Sequence, residues 1–200
     1  MLTDEEQMRV AAAIRDAESR TAGEIVVVVA AAASAYRSVP LLYALLGSLA
    51  APWPLIWLTE LSAARIVLLQ LVVALALVLL VSLAKRPLVP AFIRRARCRE
   101  AAAREFRARG LVRTRGRTGV LIYVAAAEHY AEVVADAGIA AHVAETVWRE
   151  AITELVTAIR AGRAADGLVA AIGRVGAVLA QHAPARSDDH DELPNKVILM

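Results

Sequence analysis

Cysteine is nearly absent: Cys98 is the only one in 200 residues. That excludes an internal disulfide and any multi-cysteine zinc site, and it suits a reducing compartment. The ordinary reading of a lone cysteine is a small apolar helix residue. The chain also lacks Gly-x-Gly-x-x-Gly, a phosphate loop ending in Gly-Lys-Ser/Thr, His-Glu-x-x-His and Gly-x-Ser-x-Gly. Well-marked nucleotide, zinc-peptidase and serine-hydrolase readings are thereby disfavoured. No internal repeat is visible. The opening Met1, Leu2, Thr3, Asp4, Glu5, Glu6 has no basic region followed by an apolar core; a signal peptide is not expected here, nor any cleavage.

Charge is what residues 39–84 have least of, with only Glu60 and Arg65. Two long apolar runs are separated by the short polar break Thr59, Glu60, Leu61, Ser62. From Ile66 to the end of the second run no residue is charged, and about 20 residues at ~1.5 Å rise cover ~30 Å, the hydrocarbon thickness of a bilayer. The second run is therefore expected to be a transmembrane helix. The first, 39–58, is also uncharged but carries Pro40, Gly47, Pro52 and Pro54, which a membrane helix accommodates with local adjustment. It is expected to be a second span, kinked or broken near Pro52. Gln70, Gly47 and Ala51 are expected to pair the helices of this hairpin, and the spans offer a route to a homo-oligomer.

What the chain has in excess is apolar residues, 58% of the total, more than a soluble globule usually carries. Without the hairpin roughly 150 residues remain, enough for one domain with its own core. The net charge of +3 conceals an asymmetry: twelve basic residues between Lys85 and Arg117 face only Glu100 and Glu105, so that segment is +10 and the rest −7. Basic charge directly after a span marks the cytoplasmic side. A hairpin returns the chain to the side it left, which places both flanks in the cytoplasm and the protein in the inner membrane as a multi-pass protein. The basic segment is read as a topology signal and a contact for membrane lipids. Nucleic acid is not expected, because only Phe92 and Phe106 are available for stacking and both suit the apolar face of a helix.

The flanks read as an α/β fold. Thr3 and Glu6 form a capping-box start for a helix with Val10, Ala13, Ile14 and Ala17 recurring at helical spacing, ending near Arg20. Residues 24–30 are β-branched and apolar on both faces, as in an interior strand. After Pro87 and Pro90 the spacing predicts a helix over 91–109 stopping at Gly110. Strands over 120–125 and 130–135 are close enough to pair as a hairpin. Val143, Val147, Trp148, Ala151, Leu155 and Ile159 predict a long helix to Ala161 capped at Gly162, and Leu168, Ile172, Val175 and Leu179 a last one. The acidic stretch Asp188, Asp189, Asp191, Glu192 belongs to a tail, 186–200, expected to be extended or loosely docked. Neither flank could bury a sheet alone, so the two must assemble across the hairpin.

Polar candidates are few. Asp136, His142 and Glu145 form the nearest thing to a cluster, His142 and Glu145 being three apart on one helix face. A carboxylate at a strand's carboxyl end is a sensible ligand position, although Asp before Gly at a helix entry is equally a turn or cap residue. Glu24 abuts the buried strand, as a carboxylate at the sheet's end or as the last solvated position before burial. The acidic tail lacks the twelve-position pattern of a calcium loop and reads as a solvated charge run.

Taken in order, Thr21-Ala22-Gly23-Glu24-Ile25-Val26-Val27-Val28, Thr118-Gly119-Val120-Leu121-Ile122-Tyr123-Val124-Ala125, Val133-Val134-Ala135-Asp136-Ala137-Gly138-Ile139, Trp148 and Asp166-Gly167-Leu168 resemble the TPM domain family. That family is named for a thylakoid lumen protein, a photosystem II repair protein and a receptor-associated membrane protein. The resemblance is nearest to a bacterial membrane-embedded branch in which a hydrophobic insertion divides the domain. It implies a small mixed β-sheet sandwiched by helices, with 1–37 and 87–185 as two parts of one domain, 38–86 as the transmembrane hairpin and 186–200 as the tail. It further implies a module that binds and helps assemble, maintain or regulate membrane protein complexes. Some members are described as weak acid phosphatases or divalent-ion binders, so the alternative is a metal-dependent phosphatase in which Glu24 and Asp136 hold Ca2+ or another divalent cation. Many members have Gly-Asp-Tyr leading into the last helix, where this chain has Gly162-Arg163-Ala164.

Overall fold

Thr3 opens the first helix as the spacing predicts. In a computed structural model that describes residues 2–36, 38–83, 89–185 and 196–200, the Glu6 amide donates to Thr3 Oγ1 at 3.2 Å and the Thr3 amide to Glu6 Oε2 at 2.7 Å. This capping box satisfies amides that the helix itself leaves unpaired. Helix α1, Asp4–Glu18, buries Val10, Ile14 and Ala17. The chain divides into two compact units, Met1–Ser34 with Arg95–Met200, and Ala35–Arg94.

The first unit is built on a four-stranded mixed sheet, ordered β3-β2-β1-β4. β1, Ile25–Ala30, runs parallel to β2, Val120–Ala125, with Ile25 opposite Val120 and Ala30 opposite Ala125. β2 turns through Ala126, Ala127, Glu128 and His129 into antiparallel β3, Tyr130–Ala135, the hairpin read from the sequence. Both inner strands are apolar throughout because both faces are covered. Ile25 and Val27 of β1 and Val120, Ile122 and Val124 of β2 enter one core, with α1, α7 (Glu145–Arg160) and α8 (Ala164–His182). Val26, Val28 and Ala30, with Leu121, Tyr123 and Ala125, enter the other, under α5, Ala91–Ala108. Cys98 is buried there among Ala101, Ala102 and Phe106, a small helix residue as expected. Phe92 is not part of that face: it is 72% exposed, because α5 joins the core only from Cys98 onward.

Short elements escaped the sequence, among them the 3-10 turn Leu111–Arg113. A single-turn helix, α6 (Ala137–Ala140), precedes α7. Residues 196–200 belong to the tail expected to be extended or loosely docked, and there β4, Val197–Leu199, lies parallel to β1 with Val27 opposite Val197. Its side chains alternate, Val197 and Leu199 packing on one core and Ile198 on the other. The acidic part of the tail, with Lys85, Arg86 and Pro87 beyond the second span, lies outside the described residues.

The second unit is helical. α2, Ser38–Ala50, and α3, Pro52–Leu58, make up the first apolar run, which is broken at Ala51, beside Pro52 as expected. The cause is local: Pro52 and Pro54 have no amide to donate back to the preceding turn. α4, Ala63–Leu83, is uninterrupted. Gln70 donates from Nε2 to Ser48 Oγ at 3.1 Å, the pairing role expected of it. Neither α3 nor α4 has a buried residue, and leucines including Leu68, Leu71, Leu75 and Leu79 face outward.

Candidate functional site

The register brings the two predicted carboxylates to one end of the sheet. Glu24 precedes β1 and Asp136 follows β3, with Gly119 between them on the approach to β2. The Val120 amide donates to the Glu24 carbonyl at 2.8 Å and the Asp136 amide to the Gly119 carbonyl at 2.9 Å. With strands ~4.8 Å apart, the two backbones stand ~10 Å from one another. Both residues are buried, at 8% and 5% exposure. This end is the amino end of β1, β2 and β4. Asp136 follows a strand's carboxyl end only because β3 is the antiparallel member, so the pole at which parallel sheets expose ligand sites is the opposite one.

Asp136 is engaged on both oxygens. Its Oδ1 accepts from the Ala137 amide at 2.7 Å, capping α6, and from Arg117 Nη2 at 3.1 Å; Arg117 Nε lies 3.4 Å from Oδ2. Arg117 is in the left-handed region, φ 51°, and its carbonyl accepts from the Gly138 amide at 3.0 Å. A Cβ on Gly138 would stand 2.6 Å from the carbonyl oxygens of both Gly116 and Arg117. The Asp136-Ala137-Gly138 signature thus docks α6 onto the loop before β2. Thr114 Oγ1 accepts from the Thr118 amide at 3.2 Å, and Thr118 Oγ1 donates to the Ala22 carbonyl at 3.1 Å. Thr21 Oγ1 donates to the Ala183 carbonyl and accepts from the Gly23 amide. These family positions weld the loops at the amino pole into one piece.

The predicted grouping of His142 and Glu145 with Asp136 does not form. His142 lies in the turn between α6 and α7, its Nδ1 3.1 Å from the Gly138 carbonyl and its ring 6.2 Å from that of His182. Glu145 opens α7 and holds Arg149 at 3.1 Å. The extended backbone of Ala144, φ −63° and ψ 140°, separates the two, so they share no helix face. Sequence reasoning also missed Glu18, whose Oε1 accepts from the Ile25 amide at 2.8 Å beside Glu24. Nothing in its spacing marks it.

At the carboxyl pole Glu128 accepts from the Ala33 amide at 3.1 Å. The Tyr130 hydroxyl donates to Glu132 at 3.0 Å. Burial, reinforced by the Glu132 carboxylate, pushes the Tyr130 phenol up to about 12. Tyr123 is likewise pushed up to about 12, chiefly by burial. Contact with Tyr130 raises the Arg99 guanidinium further above its ordinary value.

A divalent cation asks for more than the amino pole supplies. Calcium takes six to eight oxygens, whereas Asp136 is already shared between a guanidinium and an amide. Among the described residues no group of three or more His, Cys, Asp or Glu is placed to hold a metal ion. Gly162 takes φ 74° and closes α7 as a helix-ending glycine, with the Arg163 amide donating to the Ala158 carbonyl at 2.9 Å. The nearby Asp166 carboxylate holds Arg9 at 2.7 Å. Among the described residues the donor set falls short of what calcium takes.

The fold defines an α/β domain with a mixed four-stranded sheet between helices. Residues 88–178, a little under half of the chain, match the family model of the TPM domain. Its fold is similar to the NMR structure of BA42 protein from the psychrophilic bacterium Bizionia argentinensis, with a TM-score of 0.61 and 24% identity over 100% of this chain and 96% of that one. No curated protein matches the sequence.

Proposed function

We propose that this chain is a membrane-anchored TPM module of the inner membrane, with its α/β domain and both termini in the cytoplasm, and that it binds and helps assemble, maintain or regulate membrane protein complexes rather than catalysing a reaction. The observation that carries the reading is α4, 21 residues long with none buried and no charge after Arg65. So continuous an apolar surface is not left to water in a soluble monomer, and the length matches a bilayer. The basic excess after the second span supports the cytoplasmic side. The amino pole supports binding over catalysis, since the polar groups described there tie loops together and present no nucleophile paired with a base.

A periplasm-active phosphatase and a cytoplasm-fluorescent protein, each fused after Met200, test the topology: fluorescence without phosphatase activity is expected, and the reverse overturns it. Capture from mild-detergent membranes should recover integral membrane proteins. The rival reading, a divalent-metal-dependent phosphatase, draws on the shared location of Glu24 and Asp136. Hydrolysis of a generic phosphomonoester by the purified chain, abolished in Asp136→Ala, would replace the binding reading with it.

A further inference from the structure

α5 has two faces of opposite character. Cys98, Ala101, Ala102 and Phe106 are buried, whereas all six of its arginines, Arg94, Arg95, Arg97, Arg99, Arg104 and Arg107, are exposed. Its two carboxylates are both taken, Glu100 by Arg97 at 3.0 Å and Glu105 by Arg109 at 2.9 Å. Arg99 is drawn to Tyr130 and Glu132. Among the described residues no carboxylate pairs with Arg94, Arg95, Arg104 or Arg107. Four uncompensated guanidinium groups on one 18-residue helix make a positive surface with no counterpart among the described residues. At 3.6 residues per turn Arg104 and Arg107 lie on the side away from Cys98, Ala101, Ala102 and Phe106, where Ala96 and Ala103 are small and exposed, leaving those guanidinium groups as the first atoms a flat partner would meet.

We propose that this arginine face binds the anionic headgroups of phospholipids, which rests on the reading that α4 crosses a bilayer. Three observations favour that occupant. Guanidinium groups match phosphate oxygens in paired hydrogen bonds. Only seven residues of chain separate Leu83, the end of α4, from Ala91, the start of α5, so a spanning α4 delivers this helix to a membrane surface. Phe92 in its first turn is 72% exposed, as suits an apolar side chain at the headgroup boundary. A single-stranded nucleic acid would want aromatics interleaved with the arginines, and Phe106 is buried. Each basic residue near an anionic leaflet is worth roughly a five-fold preference.

The test uses the full chain in lipid nanodiscs, either pure phosphatidylcholine or one-third phosphatidylglycerol, with an environment-sensitive fluorophore on Ala103→Cys; the native Cys98 is buried and stays unlabelled. A blue shift is expected in the anionic discs alone. It should reverse at 1 M salt, where the screening length falls to about 3 Å, and shrink at least several-fold in R104Q/R107Q, both exposed positions that leave folding intact. Identical emission in the two discs overturns the proposal, as does a shift indifferent to salt and to both substitutions. Reversal by millimolar inorganic phosphate at constant ionic strength would mean a free-phosphate site, and reversal by a short RNA a nucleic-acid face; either overturns it. Alkaline carbonate extraction of the chain from vesicles keeps the two readings apart. Release overturns the spanning reading and this one with it, whereas retention without a shift overturns this one alone.

Discussion

Two helices, α4 and α8, are both long and apolar enough to cross a membrane, as is 41–58. They are nevertheless different objects. α8 buries eight residues, among them Leu168, Ile172, Val175 and Leu179, against α1 and α7. Its outer face is wet, with Asp166 holding Arg9 and Arg174 reaching Glu154. α4 buries nothing, and its one central polar side chain, Gln70, turns to Ser48. Composition records what a helix is made of; burial records the surroundings for which it is made. α8 owes its apolarity to a protein core, whereas α4 meets α2 along one side and has no residue buried among the described ones.

Reciprocal substitutions break the comparison most forcefully. Ile172→Arg puts an uncompensated charge at a position with 0% exposure. It should cost about 3–5 kcal/mol, a large share of the ~5–15 kcal/mol that holds a domain together. Loss of the domain's thermal transition is expected, with membrane integration unchanged. Leu75→Arg, at a position 62% exposed, should do the opposite. A water-facing leucine would tolerate it, but an arginine at the centre of a spanning helix costs about 3 kcal/mol of insertion, readable as a fall in carbonate-resistant protein. An α4 that tolerates arginine does not face lipid.

Glycines sharpen the comparison at smaller scale. A Cβ on Gly176 would stand 2.7 Å from Ala17 Cβ and 3.3 Å from its Cα, with no flexible atom to give way. Gly176→Ala should cost about 1–3 kcal/mol of domain stability as α1 and α8 are forced apart, less what alanine returns in helix propensity. A Cβ on Gly47 meets only the far end of Leu77, which can swing aside. Gly47→Ala should change hairpin pairing by under about 1 kcal/mol, measured by the same unfolding titration.

Alkaline pH separates the regions through the domain's own tyrosines. The Tyr123 and Tyr130 phenols are held up to about 12 in the folded state, against ~10 in an unfolded chain. Their contribution is complete below pH ~10 and is lost as pH rises through ~12, because the unfolded state releases its protons first. Tyr130→Phe should flatten part of that decline in chemical denaturation at pH 10 to 12. A decline of equal steepness in the variant would show that Tyr130 titrates freely.

The long periodic elements were legible. Both strands of the hairpin begin and end where their apolar runs do, and Thr3, Gly162 and Pro52 act as written. The missed elements share a cause: α6 has four residues and β4 three, too few for a period, and β4 finds its place by packing against β1, a partner some 170 residues away in sequence. The site misled for a related reason. A spacing of three promises a shared face only inside one helix, and the turn at Ala144 breaks the helix between His142 and Glu145. Glu24 and Asp136 do reach one pole, which strand pairing and not local pattern decides.

Asp136 offers the smallest effect and the finest distinction between a structural carboxylate and a ligand. Asparagine caps a helix as well as aspartate does, so Asp136→Asn keeps the bond to the Ala137 amide and gives up only the charge facing Arg117, a side chain 62% exposed. An ion pair so open to solvent is worth about 0–1 kcal/mol, and the variant should lose about 0.5 kcal/mol. Asp136→Ala loses the cap as well and should cost about 1 kcal/mol more. Calcium should leave the melting temperature of all three proteins unchanged, because a ligand that binds only the folded state must raise it. A calcium-dependent rise in the native protein that vanishes in Asp136→Asn would turn the cap into a ligand and reopen the amino pole as a metal site.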